Sequence, residues 1–260
     1  MLQPYIETFH KYKYLLQNLI VRDIKVKYRR SILGVAWSLL NPLLMMFILN
    51  AVFSRIFRFQ IPNFPLYLIT GQILFGFFNE ATSAAIFSIV DASSLIKKVY
   101  IPKYMFPIEK VLFGFVNLVF SIPAIAVMML MFRVPFSPVM FMCVFPLISM
   151  LMFTLGFSLV ISALCVFFRD LKHLYSVLIT AWMYLTPIIY PLSELKGSWI
   201  YYIALLNPLT WYVEYFRQTL IYATMPTAVM NCMCFGYGAL FIIVGLLMFK
   251  KLQDKFILYI

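Results

Sequence analysis

Long apolar runs, separated only by short polar segments, are the feature that most constrains how this chain folds. There are six of them, at residues 34–53, 64–90, 111–132, 138–168, 174–191 and 227–249. Each has at least the roughly 17 to 20 residues that a helix needs to cross the hydrocarbon of a bilayer. The chain is 64% hydrophobic and 12% charged, and 260 residues cannot bury so much apolar surface internally. We therefore predict an all-α integral membrane protein with six transmembrane helices.

The distribution of basic residues predicts the orientation in the membrane. With the N-terminus inside, 16 of the 21 Lys and Arg residues fall in cytoplasmic segments and 5 in outer segments. Cytoplasmic loops of membrane proteins carry this excess of positive charge. We therefore expect both termini in the cytoplasm, and we attribute the net charge of +12 to orientation rather than to nucleic-acid binding.

Residues 1–33 form a separate element before the first apolar run of the six-span domain, 34–260. Seven apolar side chains recur there at helical spacing: Tyr5, Phe9, Tyr12, Leu16, Ile20, Ile24 and Tyr28. Such a stripe, with basic residues mostly on the other face, predicts an amphipathic helix that lies along the inner leaflet. Two roles stay open for it, a plain membrane anchor or a docking element for a partner.

The segment between the fifth and sixth runs, residues 192–226, is aromatic but is interrupted by polar residues and by Pro208. Trp and Tyr favour the depth of the membrane interface. We therefore predict a pair of short re-entrant or interfacial helices in place of a further span.

Several kinds of catalytic site lack their sequence signals. No G-x-x-x-x-G-K-[ST] phosphate loop occurs, so Walker-type ATP binding by this chain is not supported. The nine Asp and Glu residues are scattered, without the acidic cluster of a metal-dependent glycosyltransferase, and the four cysteines show no CxxC pairing. We predict a non-catalytic chain that binds no metal or cofactor.

Four segments carry a resemblance to a known family. They are RDIKVKYRRSILGVAWSLLNPLLMM at 22–46, FFRDLKH at 167–173, TPIIYP at 186–191 and NPLTWYVEYFRQTLIY at 207–222. In residue pattern and order they resemble the permease subunits of ABC-type polysaccharide exporters, which serve O-antigen, capsule and teichoic acid export. The resemblance covers essentially the whole chain.

The resemblance implies a homodimer of this chain with two copies of a separate ATPase subunit, on which ATP and Mg²⁺ are bound. It also implies a glycan substrate linked to undecaprenyl diphosphate, and a place in the bacterial cytoplasmic membrane. An ABC permease for a drug or small amphiphile is the main alternative, since it shares the six spans. A polytopic lipid-diphosphate glycosyltransferase is a weaker one.

The loop at 91–107 is the predicted contact with the ATPase. By resemblance it holds the coupling helix, a short cytosolic helix that fits a groove of the partner, and its contact residues are Leu95, Ile96, Lys97, Lys98, Val99 and Tyr100. The alternative is an ordinary basic inner loop.

A lipid diphosphate needs cationic donors near the inner leaflet, and Arg and Lys supply them. The candidates are Lys25, Lys27, Arg29, Arg30 and Arg169. Binding of anionic lipid headgroups is the alternative role. Pairs of Arg22 with Asp23 and of Arg169 with Asp170 would reduce the available charge.

Aromatic rings suit the wall of a glycan channel, because sugar rings pack their C–H faces against them. The candidates near polar neighbours are Phe75, Phe78, Asn79, Trp182, Tyr184 and Tyr190. Packing in the protein core is the alternative for each of them.

Three charged residues lie in or near apolar segments. Glu80 falls inside the second run, where a carboxylate is costly and suggests a functional site. We expect it to be neutral or to hydrogen-bond across the pore or the dimer seam, with Thr82 and Ser83 as nearby candidate partners. Glu214 and Arg217, three residues apart, are predicted to pair and to shape an extracellular gate.

Overall fold

The computed structural model describes residues 3–29, 31–56 and 61–259, and its regular elements are all helical. The α-helices are α1 (Gln3–Tyr28), α2 (Ala36–Ile56), α3 (Phe64–Ala85), α4 (Ser88–Asp91), α5 (Ser93–Ile96), α6 (Met105–Met131), α7 (Val144–Phe167), α8 (Leu171–Leu185), α9 (Trp199–Leu206), α10 (Pro208–Leu220), α11 (Ala228–Leu252) and α12 (Phe256–Tyr259). Short 3₁₀ turns precede α7, α9 and α12. The predicted all-α class is confirmed.

Four helical segments of the described chain are long and apolar enough to cross a membrane: Ala36–Ser54, Met105–Met131, Pro138–Phe167 and Ala228–Tyr259. Two of the six predicted spans fall short of that standard. Helix α3 has 22 residues but carries Gln72, Asn79 and Glu80, and α8 has only 15 residues. The number of six spans therefore stays a prediction.

The fifth apolar run does not form one helix to its end. Helix α8 ends at Leu185, and Thr186 is extended because the residue before a proline is pushed out of the helical region. The chain from Thr186 to Tyr190 then folds back irregularly before Pro191. This corrects the predicted helical span at 174–191, and it leaves backbone carbonyls that need other partners.

Helix α3 lies at the centre of the fold and packs against α2, α6, α7 and α10. Its buried aromatic side chains, such as Phe77 and Phe78, pack in the main apolar core. By contrast, α2 buries little more than Met46 and exposes Leu44, Phe47 and Ile48. Helix α2 is therefore exposed along one side of the fold, and α3 packs behind it.

Glycines bring α7 and α11 into close contact. A Cβ added at Gly156 would overlap the main chain of Phe241, and one at Gly245 would overlap the main chain of Gly156. At Gly238 it would lie 2.8 Å from the carbonyl oxygen of Ser149. Helices in lipid associate through such small residues, because the backbones can then approach each other.

Helix α1 packs partly on the protein itself. Leu16 is buried in a cluster with Ile101, Met105 and Phe106, which belong to the loop before α6 and to the start of α6. The helix predicted for residues 1–33 is therefore present as Gln3–Tyr28, but part of its apolar stripe contacts the protein rather than lipid. Its place along the inner leaflet stays a prediction.

Candidate functional site

A cavity of about 900 Å³ lies between α2, α3 and α6, and it is bounded by the end of α8 and the irregular chain after it. Apolar side chains make up much of its wall, and polar ones are spread among them. The polar residues are Lys27, Ser38, Asn41, Gln72, Asn79, Glu80, Asn117, Ser121 and Thr186, and the aromatic ones are Phe53, Phe75, Phe77, Tyr184 and Tyr190. The cavity thus combines amide groups with aromatic rings.

Four of the six residues predicted for a glycan channel line this cavity, namely Phe75, Asn79, Tyr184 and Tyr190. Tyr184 is 63% exposed. The hydroxyl of Tyr190 donates to the carbonyl of Tyr184 at 2.6 Å, and its own carbonyl accepts from the hydroxyl of Tyr67 at 3.1 Å. These contacts hold the Tyr190 ring at the edge of the cavity.

The other two predicted channel residues do not line the cavity. Phe78 is fully buried, and its ring packs against Phe153 and Phe157 with centroid distances of 5.5 and 5.4 Å. Trp182 lies edge-on to Phe78 at 5.1 Å and donates its indole N–H to Asn207 Oδ1 at 2.8 Å. The core-packing alternative therefore describes both residues.

An ion pair occupies one wall of the cavity. Lys27 Nζ of α1 lies 2.6 Å from Glu80 Oε1 of α3, and Asn117 Nδ2 of α6 donates to the same oxygen at 2.9 Å. Tyr28 donates to Asn117 Oδ1 at 3.3 Å and is also hydrogen-bonded to Ser38 of α2. One carboxylate thus connects the end of α1 to α3 and, through Asn117 and Tyr28, to α6 and α2.

Glu80 does not use the partners predicted from its neighbours in sequence. Thr82 donates to the backbone carbonyl of Phe78 at 2.6 Å, and Ser83 donates to Asn79 Oδ1 at 3.1 Å. Hydroxyl groups within a helix commonly bond back to the preceding turn in this way. The prediction of those two partners is wrong, and the actual partners come from α1 and α6.

The basic residues predicted to bind a diphosphate do not form one group. Lys27 faces the cavity, whereas Lys25, Arg29 and Arg22 line a separate shallow depression on α1. Arg169 donates to the backbone carbonyl of Tyr259 at 3.3 Å, in the last helix of the chain. Arg30 lies outside the described residues. Among the described candidates, Lys27 alone lines the cavity.

A second ionic group joins α1 to α6. Asp23 pairs with Arg22 of the same helix at 2.8 Å, as predicted, and with Lys110 of α6, which also lies 3.1 Å from Glu109. Burial raises the pKa of Asp23, but hydrogen bonds from Lys110 and Arg22 outweigh that effect, and its pKa is lowered overall. Asp23 is therefore ionised at neutral pH and helps to hold α1 in place.

Arg217 of α10 is fully buried at the end of the cavity formed by the chain after α8. Its Nη1 donates to Pro187 O at 2.6 Å and to Glu214 Oε1 at 3.0 Å. Its Nη2 donates to Tyr67 O and to Ile188 O, both at 3.0 Å. The predicted pair with Glu214 is present. Carbonyls of the chain after α8 are further partners, so the guanidinium stabilises this chain segment. The role of the pair in an extracellular gate stays a prediction.

Comparison with known proteins identifies the family of the chain. The model of the ABC-2 type transporter family matches residues 14–221, which include every residue that lines the cavity. The chain belongs to the ABC-2 type transporter family. The family resemblance predicted from four motifs is thereby confirmed.

Relatives of this ABC-2 chain are named as export system permeases or as a transport protein. It is 32% identical over 250 residues to the O-antigen export system permease protein RfbA of Klebsiella pneumoniae, covering 94% of this chain and 95% of the relative. It is 32% identical over 197 residues to the protein of the same name from Myxococcus xanthus, at 74% coverage of both. The polysialic acid transport protein KpsM of Escherichia coli is 25% identical over 251 residues, at 92% coverage of both.

In the ABC-2 chain, the loop predicted to contact an ATPase has one exposed face and one packed face. Leu95, Val99 and Tyr100 are exposed, and the neighbouring Lys97 and Lys98 are exposed as well. Ile96, which was predicted as one of the contact residues, instead packs toward the protein. The loop is braced by α1, since the Tyr12 hydroxyl donates to Tyr100 O at 3.1 Å.

Three amide residues of the cavity wall were not found from the ABC-2 sequence. Asn41, Gln72 and Asn117 lie inside predicted spans, where a single amide gives no local pattern that separates a cavity wall from a buried hydrogen bond. The usable signal was the polarity of these residues within apolar runs, since a polar group at membrane depth faces protein or a water-filled cavity.

Proposed function

We propose that this chain is the membrane-spanning subunit of an ATP-driven exporter for a lipid-linked glycan of the O-antigen or capsule type. Two copies of it would pair with two copies of a separate ATPase, in the cytoplasmic membrane and with both termini inside. The ABC-2 family assignment supports the ABC exporter class, and the names of the relatives favour polysaccharide as cargo. The single observation that carries the glycan assignment is the mixed aromatic and amide lining of the cavity.

The lining fits a sugar chain on chemical grounds. The side chains of Asn41, Gln72 and Asn79 each offer a donor and an acceptor, as vicinal hydroxyl groups require. Gln72 Oε1 is buried and has no hydrogen-bond partner among the described residues. The rings of Tyr184 and Tyr190 supply flat surfaces for the C–H faces of a sugar.

The carrier lipid is proposed to be undecaprenyl diphosphate. Its diphosphate would meet Lys27 at the cavity and the bases Lys25 and Arg29 on the adjacent face of α1. Charge-assisted hydrogen bonds of Lys and Arg to phosphate oxygens are the strong ones in proteins. The long apolar tail would stay in lipid beside the exposed apolar side chains of α2.

ATP hydrolysis is proposed to belong to the partner, with ATP and Mg²⁺ bound there, because this sequence contains no phosphate loop. The surface offered to the partner comprises Leu95, Val99 and Tyr100 with two adjacent lysines. Aromatic and aliphatic side chains of this kind act as anchors when a pocket on the partner encloses them.

An ABC permease for a small amphiphile is the second candidate. It is favoured by the apolar side of the cavity, where Met45, Leu49 and Phe53 of α2 face the amides. A volume of about 900 Å³ also falls in the usual range, roughly 300–1,000 Å³, for a pocket that holds a drug-sized molecule.

Depletion of the chain in its host separates the two candidates. We expect surface polysaccharide to fall and undecaprenyl-linked polymer to accumulate inside, measured by immunoblot of the surface and by mass spectrometry of extracted lipids. Re-expression of the chain should restore export, and the chain without its ATPase partner should not. Unchanged surface polymer together with increased sensitivity to small amphiphiles would favour the second candidate instead.

A further inference from the structure

The two charges on the cavity wall pair with each other. Among the described residues that line the cavity, Lys27 is the only base and Glu80 the only acid. Their closest atoms lie 2.6 Å apart, and the two side chains are 38% and 36% exposed. A ligand in the cavity can therefore reach both groups, but it meets a lysine that already has a carboxylate partner.

Glu80 keeps a second hydrogen-bond donor when Lys27 moves away from it. Asn117 Nδ2 donates to the same carboxylate oxygen at 2.9 Å, and Asn117 is only 4% exposed. The orientation of its amide is set by Tyr28, which donates to Asn117 Oδ1 at 3.3 Å. Glu80 thus keeps a charge-assisted hydrogen bond from a rigid donor, so that loss of Lys27 does not leave the carboxylate without a partner.

Lys27 is the mobile member of the pair. A lysine ammonium is a compact charge on a flexible stem, with three donors that any nearby acceptor can take. A diphosphate carries more negative charge than a carboxylate and presents more acceptor oxygens. The same ammonium can therefore move from Glu80 to a diphosphate with little change in the backbone of α1.

We propose that Glu80 is an internal competitor of the anionic ligand: it holds Lys27 while the cavity is empty and gives it up to a diphosphate group. This rests on the proposed function, and it adds a means by which that site is regulated. Competition of this kind lowers the affinity for the diphosphate. After transfer, Glu80 takes Lys27 back, which assists release of the cargo.

Binding measurements on the full-length chain in phosphatidylcholine nanodiscs test the proposal. The probes are farnesyl diphosphate, inorganic pyrophosphate and the uncharged alcohol farnesol, each followed by titration calorimetry. Glu80→Gln should bind farnesyl diphosphate about fivefold more tightly, the upper end of what one partly exposed ion pair is worth. Farnesol binding should not change. Equal tightening for pyrophosphate would identify free diphosphate as sufficient, and tightening for the farnesyl compound alone would show that the lipid is required.

The double variant distinguishes competition from simple repulsion. If Glu80 acts only by occupying Lys27, then Lys27→Gln weakens binding and the pair Lys27→Gln with Glu80→Gln behaves like Lys27→Gln alone. Glu80→Asp is a second test with the charge kept. Its shorter side chain separates the carboxylate from the ammonium, and we expect it too to tighten binding.

Two exposed residues away from the cavity supply matched controls, Lys13→Gln on α1 and Asp254→Asn near the C-terminus. They change the net charge equally and should leave binding as it is. Equal tightening by Glu80→Gln with and without Lys27 would overturn the proposal, as would no tightening in a chain that does bind the probe. Failure of the unmodified chain to bind either diphosphate would instead remove the lipid-diphosphate substrate itself, and the proposal with it.

Discussion

The guanidinium carbon of Arg217 lies 3.4 Å from the centre of the Tyr67 ring, and the same group donates to the Tyr67 carbonyl. The contact joins α10 to the first turn of α3. The guanidinium also binds the carbonyls of Pro187 and Ile188, so it fixes the segment after α8 against these two helices. One buried cation thus organises the end of the cavity where Tyr190 lies.

Replacement of Arg217 by Lys should destabilise the protein by about 2–4 kcal/mol, since one ammonium cannot reach carbonyls on two sides and the remaining groups stay buried. Arg217→Met should have a similar effect. Thermal unfolding in detergent measures it. Arg133→Lys, on an exposed turn, is the control and should leave the midpoint unchanged. An unchanged midpoint in Arg217→Lys would show that the carbonyls find other partners.

Gly156→Ala should separate α7 from α11, because the added methyl group overlaps the main chain of Phe241. We expect a clear fall in the unfolding midpoint, by several degrees, as in other overpacked cores that lose about 1–3 kcal/mol. Gly236→Ala, on the same pair of helices, meets no atom within 4 Å and is the matched control. Equal midpoints for the two variants would contradict the close packing.

The wall of the cavity and the core behind it should respond differently to alanine. Tyr184→Ala removes a ring that is 63% exposed, and we expect reduced glycan export at nearly normal stability. Phe78→Ala removes a fully buried ring, and we expect a loss of about 3–5 kcal/mol in stability. Surface polymer and unfolding midpoints, measured on the same variants, separate the two effects. Normal export in Tyr184→Ala would exclude that ring from the glycan path.

Residues of the 91–107 loop should also fall into two groups. Tyr100→Ala, at an exposed position, should lower the ATPase activity of the assembled exporter without a change in the stability of this chain. Ile96→Ala, at a packed position, should lower the stability. The assay is ATP hydrolysis in proteoliposomes, with Lys13→Ala as a control outside the loop. Full stimulation in Tyr100→Ala would place the partner contact elsewhere.

Local composition was sufficient for several predictions. The all-helical class follows from the apolar runs, and the helix at residues 3–28 follows from the spacing of apolar side chains such as Leu16. The pairing of Glu214 with Arg217 follows from their spacing of three residues on one helix. These relations depend on neighbours along the chain, so the sequence is enough to predict them.

Other features depend on which faces of distant helices meet. The sequence suggested Thr82 and Ser83 as hydrogen-bond partners of Glu80, whereas in the structure Glu80 pairs with Lys27, which lies 53 residues earlier. It did not distinguish Phe75, at the cavity, from Phe78, in the core, although both lie in one apolar run. Successive residues of a helix are about 100° apart around its axis, so Phe75 and Phe78 differ by only about 60°, and packing against α6 and α7 decides which of the two rings borders the cavity.

The sequence alone therefore determined a membrane chain, its helical class and its ABC-2 family, because composition and motif order are properties of the chain itself. The tertiary structure decided that Lys27 and Glu80 meet at a cavity, that Arg217 is a buried clamp, and that Arg169 contacts the C-terminal helix. Each of these joins residues that are far apart in sequence. Such contacts form only when whole helices pack. The free energy of that packing comes from many side chains together, so no local sequence pattern predicts it.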